Sequence, residues 1–300
     1  MKKQILRISI ALFILACELI AEQTVFQSNL NVKAETIQGK VTASILNIRS
    51  GPSTHFRVVG SLEKGNVVNI IASSSGWYKI TSGSKMGFVS SQYISKVFST
   101  TNAVNKMKSL GNSKQLLLVT ASNETNRNAT IETFEKIGTT WKKLHTYTGF
   151  LGKNGLSSNK HEGDYESPEG KYTITSAFGR LSNPGTRLHY KKTTANDVWV
   201  DDPNSTFYNT LQSRLYNNGR WNSAESMNNP LYDYGFVINY NTSLIPGKGS
   251  AIFFHVSGKY GYTAGCTATS KANVVSILKW LDPSKQPIII QSPINKLTYY

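Results

Sequence analysis

Two cysteines, Cys17 and Cys266, are all this chain contains. A disulfide-stapled scaffold is therefore excluded, because a fold of that kind needs several pairs. No stretch of the chain supplies eighteen consecutive apolar residues, which excludes a membrane-spanning helix. Acidic residues are scarce: 17 Asp and Glu stand against 33 Lys and Arg, a formal charge of +16. That imbalance calls for an anionic partner, whether nucleic acid, a membrane surface or a charged wall polymer. The five histidines include no pair at ligand spacing, and "HEGDY" (161–165) lacks the second histidine of a helical zinc-protease motif, so no metal and no cofactor are expected. With 39% apolar residues the chain is too hydrophobic for disorder. Its 300 residues fit about two domains.

Among what is present, the N-terminus has the layout of an export signal. Lys2, Lys3 and Arg7 precede an apolar run from Ile8 to Ala16 that Glu18 stops. A signal peptide within residues 1–34 is expected, with Val32-Lys33-Ala34 one candidate for its end. Ile14-Leu15-Ala16-Cys17 has the look of a lipid-attachment box, but simple export is favoured over a lipid anchor at Cys17. Secretion leaves Cys266 as a single thiol in an oxidising compartment, where it is a liability unless it is buried or has a task. Export and the spread of positive charge over both halves also argue against a nucleic-acid partner.

Residues 36–97 have no helical period. Short runs at Val41–Ile48, Val67–Ala72, Trp77–Ile80 and Gly87–Val89 are broken by Gly, Ser and Pro, which predicts a small all-β module. It carries Lys40, Arg49, Arg57, Lys64, Lys79, Lys85 and Lys96 against the single acid Glu63. "LNIRSGPS" (46–53), "VVGSLEKG" (58–65), "GWYKI" (76–80) and "GFVSSQYIS" (87–95), in this order, resemble the bacterial SH3-like domain. The resemblance implies a cell-wall targeting role toward an anionic polymer. Trp77 and Tyr78 are either core aromatics or a platform for wall binding.

Residues 98–113 are polar and aperiodic and read as a linker. From 114 to 292 the pattern is mainly β. Strands are expected at 115–122, 130–137, 140–149, 170–179, 234–241, 250–257 and 287–291. A helix is expected at 270–281, capped by Ser270, with Val274, Ile277, Leu278 and Leu281 as its apolar stripe and Asp282-Pro283 as its stop. A second short helix is expected near 205–215.

The chemistry concentrates in "AIFFHVS" (251–257) and "GYTAGCTATS" (261–270). A thiol becomes a nucleophile only with a base or a positive environment beside it, and His255 can supply either. The helix beginning just past Cys266 would add the positive end of its dipole. Gly265 permits close approach of the backbone to a substrate carbonyl, and amides around Thr263, Ala264, Gly265 and Cys266 could bind an oxyanion. Residue types alone leave open a buried structural cysteine and a satisfied structural histidine.

"EGDYESPEGKYTI" (162–174), "VWVDDPNSTFYN" (198–209), "GKGSAIFFHV" (247–256), "TAGCTA" (263–268) and "ILKWLDPSKQPIII" (277–290) resemble the L,D-transpeptidase catalytic domain family, in a divergent branch. The resemblance implies a β-rich catalytic fold, Cys266 as nucleophile, His255 as base, a backbone carbonyl just after His255 to orient the imidazole, and peptidoglycan stem peptides as substrate. The segment departs from the common family motif. Ala264 stands where that motif has histidine, no arginine follows Cys266, and the His255-to-Cys266 spacing is shorter. Donor or oxyanion recognition is therefore expected to differ. Two further readings stay open: an L,D-carboxypeptidase with water as acceptor, and a wall-binding protein with an inactive domain. Oligomeric state is not readable.

Overall fold

The computed structural model describes residues 37–97 and 99–300. The expected signal segment and Cys17 lie outside the described residues. The chain divides into two compact units, with the boundary between Ser99 and Thr100. Both are mainly β, as the patterning predicts. Among the described residues, no helix is long and apolar enough to cross a membrane.

The first unit has seven strands: β1 (Ile37–Val41), β2 (Ile45–Arg49), β3 (Val58–Glu63), β4 (Val67–Ser74), β5 (Trp77–Ser82), β6 (Lys85–Ser90) and β7 (Ile94–Val97). They form one sheet in the order β3-β2-β6-β5-β4-β1-β7. The expected run Val41–Ile48 is split by a turn, so it contributes to two strands. Alternation along β2 sends Leu46 and Ile48 inward, where they meet Leu62, Val68, Ile70, Ile80 and Val89. The β4–β5 hairpin turns through Ser75 and Gly76 at φ +44° and +83°. A two-residue hairpin loop with both φ values positive matches the strand twist and suits glycine.

The second unit holds β8 (Gln115–Ala121), β9 (Asn128–Ile137), β10 (Thr140–Phe150), β11 (Leu156–Ser157), β12 (Ser167–Pro168), β13 (Gly170–Thr173), β14 (Ser176–Gly179), β15 (His189–Lys192), β16 (Asp197–Val200), β17 (Leu211–Ser213), β18 (Ala224–Ser226), β19 (Gly235–Val237), β20 (Phe253–Val256), β21 (Thr267–Thr269) and β22 (Ile288–Pro293). Ten of these form one sheet, ordered β13-β22-β8-β9-β10-β21-β20-β19-β14-β15. Strand β8 is buried along its whole length, which is what a continuous apolar run signals. Its period of two feeds two cores. Leu117, Val119 and Ala121 join one cluster, while Leu116 and Leu118 join another on the opposite face.

Two helices cover these faces, α1 (Thr100–Lys106) and α2 (Lys271–Trp280). Helix α2 matches the expected one. Ser270 caps it by accepting from the Asn273 amide, and Val274, Ile277, Leu278 and Leu281 are fully buried. Burial of each such side chain contributes about 1.5–3 kcal/mol. Gln115 ties down the far end: its side chain donates to the Trp280 carbonyl at 2.8 Å and accepts from the Asp282 amide at 2.8 Å.

Two expectations are corrected. Residues 100–113, read from sequence as part of a linker, belong to the second unit. Helix α1 buries Ala103 and Val104, and Leu110 follows, against Leu116, Leu118, Phe134, Trp141 and Ile290. The second face of β8 has to be covered, and this segment covers it. The helix expected near 205–215 is instead a series of turns followed by β17 and a single 3-10 turn. Asp202 accepts from the Asn204 amide, Ser205 from the Phe207 amide, and the Thr210 hydroxyl donates to the Phe207 carbonyl. Such short polar side chains offer the backbone partners that compete with a helical ladder.

Candidate active site

Parallel pairing of β20 with β21 places Phe254 opposite Thr267 and His255 opposite Ala268. Cys266, one residue before β21, thus lies beside Phe253, whose amide donates to the Cys266 sulfur at 3.3 Å. Side chains two apart share a sheet face, so Phe253 and His255 point to the same side. Cys266 packs there in a cluster with Phe178, Met227, Tyr232, Ala251 and Phe253. Cys266 and His255 are both buried, at 7% and 5% exposure, and both line one cleft of about 500 Å³. Thr263, Ala264 and Gly265 line it as well.

The loop that carries the thiol is pinned by hydroxyls. The Cys266 carbonyl accepts from Thr263 at 2.6 Å and from Ser167 at 2.9 Å, and Ser167 in turn accepts from the Gly152 amide at 2.8 Å. The Gly265 amide, one of the expected oxyanion donors, is engaged by the Thr263 hydroxyl at 3.1 Å. Among the described residues, no turn or loop backbone bond engages the amides of Ala264 and Cys266, which are the candidate donors that remain. Gly265 has φ +148°, a region essentially reserved for glycine. A Cβ there would also sit 3.1 Å from the Glu166 carbonyl and 3.2 Å from Lys160 Nζ.

His255 Nδ1 lies 2.8 Å from the Val256 carbonyl. A carbonyl can only accept, so Nδ1 carries the proton and Nε2 keeps a free lone pair. The carbonyl just after His255 therefore orients the ring. Tyr232 packs its ring edge-on to the imidazole, with centroids 5.2 Å apart. Burial pushes the imidazole down to about 4, against a smaller upward effect of the Val256 bond. Burial pushes the Cys266 thiol up to about 12, with Glu225 adding to the rise and the Phe253 amide and Lys160 opposing it. Between these limits both groups rest neutral.

Of the two aids expected from sequence, a base and a positive environment, the neutral state leaves the base, and the reason is geometric. Strand β21 separates Cys266 from helix α2, a span of roughly 10 Å at the usual rise per residue. The dipole effect fades within a helix's first turn and does not offset the burial of the thiol. The thiol instead donates to the Ala251 carbonyl at 3.2 Å.

Several residues of the cleft escaped the sequence reasoning. Lys160 is buried, with its ammonium bonded to Asp164 at 2.7 Å and to the His161 carbonyl at 3.2 Å. Asp164 also accepts from the amides of His161 and Glu166, at 2.5 and 2.9 Å. Burial raises this carboxyl, but Lys160 and the two amides outweigh that and hold it below the usual range. The stretch 161–164 is thus the turn expected from its Gly and Asp, and it also delivers Lys160 and Glu162 to the cleft. The pair Asp201-Asp202 divides its labour. Asp202 anchors the amides of Asn204 and Asn222, whereas Asp201 lines the cleft. Glu225, unassigned from sequence, accepts from the Tyr232 hydroxyl beside Cys266. The one signal that marked Glu162 and Asp201 was their place inside segments resembling the family. No group of metal-ligating side chains forms among the described residues.

In the first unit, Trp77 and Tyr78 are half-buried. Tyr78 packs partly against the core and carries Lys96 over its ring at 5.4 Å.

Two curated proteins are similar to part of this chain. Bacteriocin BCN5 of Clostridium perfringens is 47% identical over 51 residues, 17% of this chain and 6% of that protein. YrvJ of Bacillus subtilis (strain 168), described as a candidate N-acetylmuramoyl-L-alanine amidase, is 43% identical over 49 residues, 16% of this chain and 10% of that protein. The matches thus span a tenth or less of either relative's length. The solved structure of Bd1075 from Bdellovibrio bacteriovorus aligns with a TM-score of 0.34 and 14% identity, covering 59% of this chain and 47% of that one. The bacterial SH3 domain model matches residues 44–95. The YkuD model, the L,D-transpeptidase catalytic domain, matches residues 124–290, more than half of the chain. The chain belongs to the L,D-transpeptidase catalytic domain family and carries a bacterial SH3 domain ahead of that catalytic domain.

Proposed function

We propose that the protein is a secreted, wall-associated L,D-transpeptidase that works through a covalent thioester on Cys266. The observation that carries this reading is the shared cleft. One thiol and one imidazole line it together, with Nδ1 of His255 fixed by Val256 and Nε2 left free. Neutral thiol and neutral imidazole are a workable starting pair. As Cys266 Sγ attacks the carbonyl before the terminal D-amino acid of a stem tetrapeptide, its proton passes to His255 Nε2. The amides of Ala264 and Cys266 hold the oxyanion. The imidazolium returns the proton to the leaving amine of the terminal residue, and a thioester remains. An amine of a second stem then attacks the thioester carbonyl, gives up a proton to His255, and releases the thiol with a new peptide bond formed.

The first unit would hold the enzyme at the wall. Lys40, Arg57, Lys64, Lys85 and Lys96 are exposed on it, which suits an anionic polymer. The similarity to a candidate N-acetylmuramoyl-L-alanine amidase supports a wall setting. Water as acceptor would turn the same site into an L,D-carboxypeptidase. Burial of the thiol, together with its bonds to Ala251 and Phe253, favours a second reading in which the domain only recognises stem peptides. Incubation of the folded protein with a carbapenem, read by intact and peptide mass, separates the two. One adduct on Cys266, absent in Cys266→Ala, is expected. No adduct on the wild-type chain would leave the recognition reading standing and remove the enzyme.

A further inference from the structure

The cleft is acidic on one side in a chain with a formal charge of +16. Glu162, Asp201 and Glu225 all line it. None of the three forms an ion pair among the described residues, although 33 Lys and Arg are available in the chain. The one buried lysine of the cleft, Lys160, is neutralised by Asp164 instead. Two of the acids are held by phenols. Tyr208 donates to Glu162, and Tyr232 to Glu225. Asp201 keeps one buried carboxylate oxygen, Oδ1, that has no hydrogen-bond partner among the described residues.

An independent observation points the same way. Ser250, 6% exposed and lining the same cleft, has a hydroxyl oxygen with no hydrogen bond. Its hydroxyl neighbour is Tyr208, which donates to Glu162 and accepts from the Gly249 amide; Ser250 can only donate toward that phenol, so its own oxygen is left without a donor. Buried acceptors without donors are uncommon in folded proteins and costly to keep. Here two of them face one cleft beside further carboxylates. A ligand bringing several N–H donors and a positive charge would satisfy them all. The acids are also near enough to repel one another, since Asp201 and Glu162 both raise the Glu225 carboxyl, after burial itself. A cation between them removes that repulsion.

We propose that Asp201, with the Ser250 hydroxyl and Glu162 beside it, seats a primary ammonium group carried by the peptide substrate. This rests on the stem-peptide reading above and adds to it a selection for cationic over neutral peptides. A stem peptide can bring such an ammonium from the donor's own third residue or from the acceptor amine. The shared chemistry is –NH3+, whose three donors match the Asp201 and Ser250 oxygens. An acceptor seated there as –NH3+ becomes a nucleophile toward the thioester only after giving one proton to the neutral His255 imidazole.

The test is calorimetric binding to the full chain carrying Cys266→Ala, so that no turnover intervenes. The donor probe is a tetrapeptide with lysine third and D-alanine last. The acceptor probe is the tripeptide without the D-alanine. Each is compared with its side-chain N-acetyl form. Acetylation is expected to weaken at least one probe tenfold or more, the scale of a lost charged hydrogen bond. The probe that responds identifies the source of the ammonium. Adding Asp201→Asn should reduce the discrimination to less than about threefold, and Asp201→Glu should restore most of it, which a merely structural role would not do. Equal affinities for free and acetylated forms, no binding of either probe, or discrimination that survives Asp201→Asn would overturn the proposal. Acylation of the wild-type thiol by the same tetrapeptide, followed by mass, tests the enzyme reading separately.

Discussion

The neutral resting state of His255 has a measurable consequence in acid. Burial takes the imidazole from 6.5 to about 4. A gap of about 2.5 units corresponds to about 3 kcal/mol at 1.36 kcal/mol per unit. The unfolded chain binds this proton as pH falls below 6.5, while the native chain does not until about 4. Stability from His255 is therefore complete above pH 6.5, declines as pH falls through that window, and declines no further once both states are protonated. Urea unfolding of the wild type and of His255→Gln, followed by tryptophan fluorescence, isolates the effect, because the other titrating groups are common to both. Four of the five tryptophans lie in the second unit. The stability difference between the two proteins should shrink by about 3 kcal/mol in favour of the variant between pH 7 and pH 4. In parallel, the imidazole's NMR titration should centre near 4, and the acid limb of Cys266 acylation should follow it. A titration near 6.5 with a flat stability difference would refute the reasoning.

Gly265→Ala should cost about 1–3 kcal/mol from its φ of +148° alone. Calorimetric melting should show that loss, and acylation should fall further than stability because Lys160 and the Glu166 carbonyl must shift. Tyr232→Phe leaves Glu225 without its hydroxyl donor. A cost of about 1–3 kcal/mol is expected, with the Glu225 carboxyl rising further above its ordinary range, visible as a carbonyl stretch of the protonated acid in infrared difference spectra near neutral pH. In the first unit, Trp77→Ala in the full chain should weaken co-sedimentation with purified sacculi at low salt without lowering the melting temperature of the second unit. Unchanged sedimentation would remove Trp77 from the wall-binding surface.

What could be read from sequence was whatever rests on local periodicity. The stripe Val274, Ile277, Leu278 and Leu281 announces a helix because one face must be apolar, and all four are fully buried. The run at 115–121 announces a buried strand because its residues on both faces are apolar. The same run carries a second implication that is harder to see. Two apolar faces need two covers, and α1 supplies part of the second from a segment whose polar composition masks Ala103, Val104 and Leu110. At the site, residue types made Cys266, His255 and Gly265 candidates, and the family resemblance singled them out. Their protonation was not legible. It depends on β21 lying between the thiol and the helix, and on Phe253, Tyr232 and Ala251 excluding water around it. Lys160 and Asp201 were hidden for a related reason. Each sits in a turn-rich loop, and only the tertiary fold shows that Asp164 answers one charge and that, among the described residues, no ion pair answers the other.

Cys266 is proposed to perform acyl transfer on wall stem peptides. The most direct test of that proposal is muropeptide mass spectrometry of purified sacculi after incubation with the wild-type chain and with Cys266→Ala. With the wild type, tetrapeptide stems should lose their terminal D-amino acid and new crosslinks should appear; with the variant, neither should occur. Sacculi whose muropeptides are the same after both incubations would contradict it.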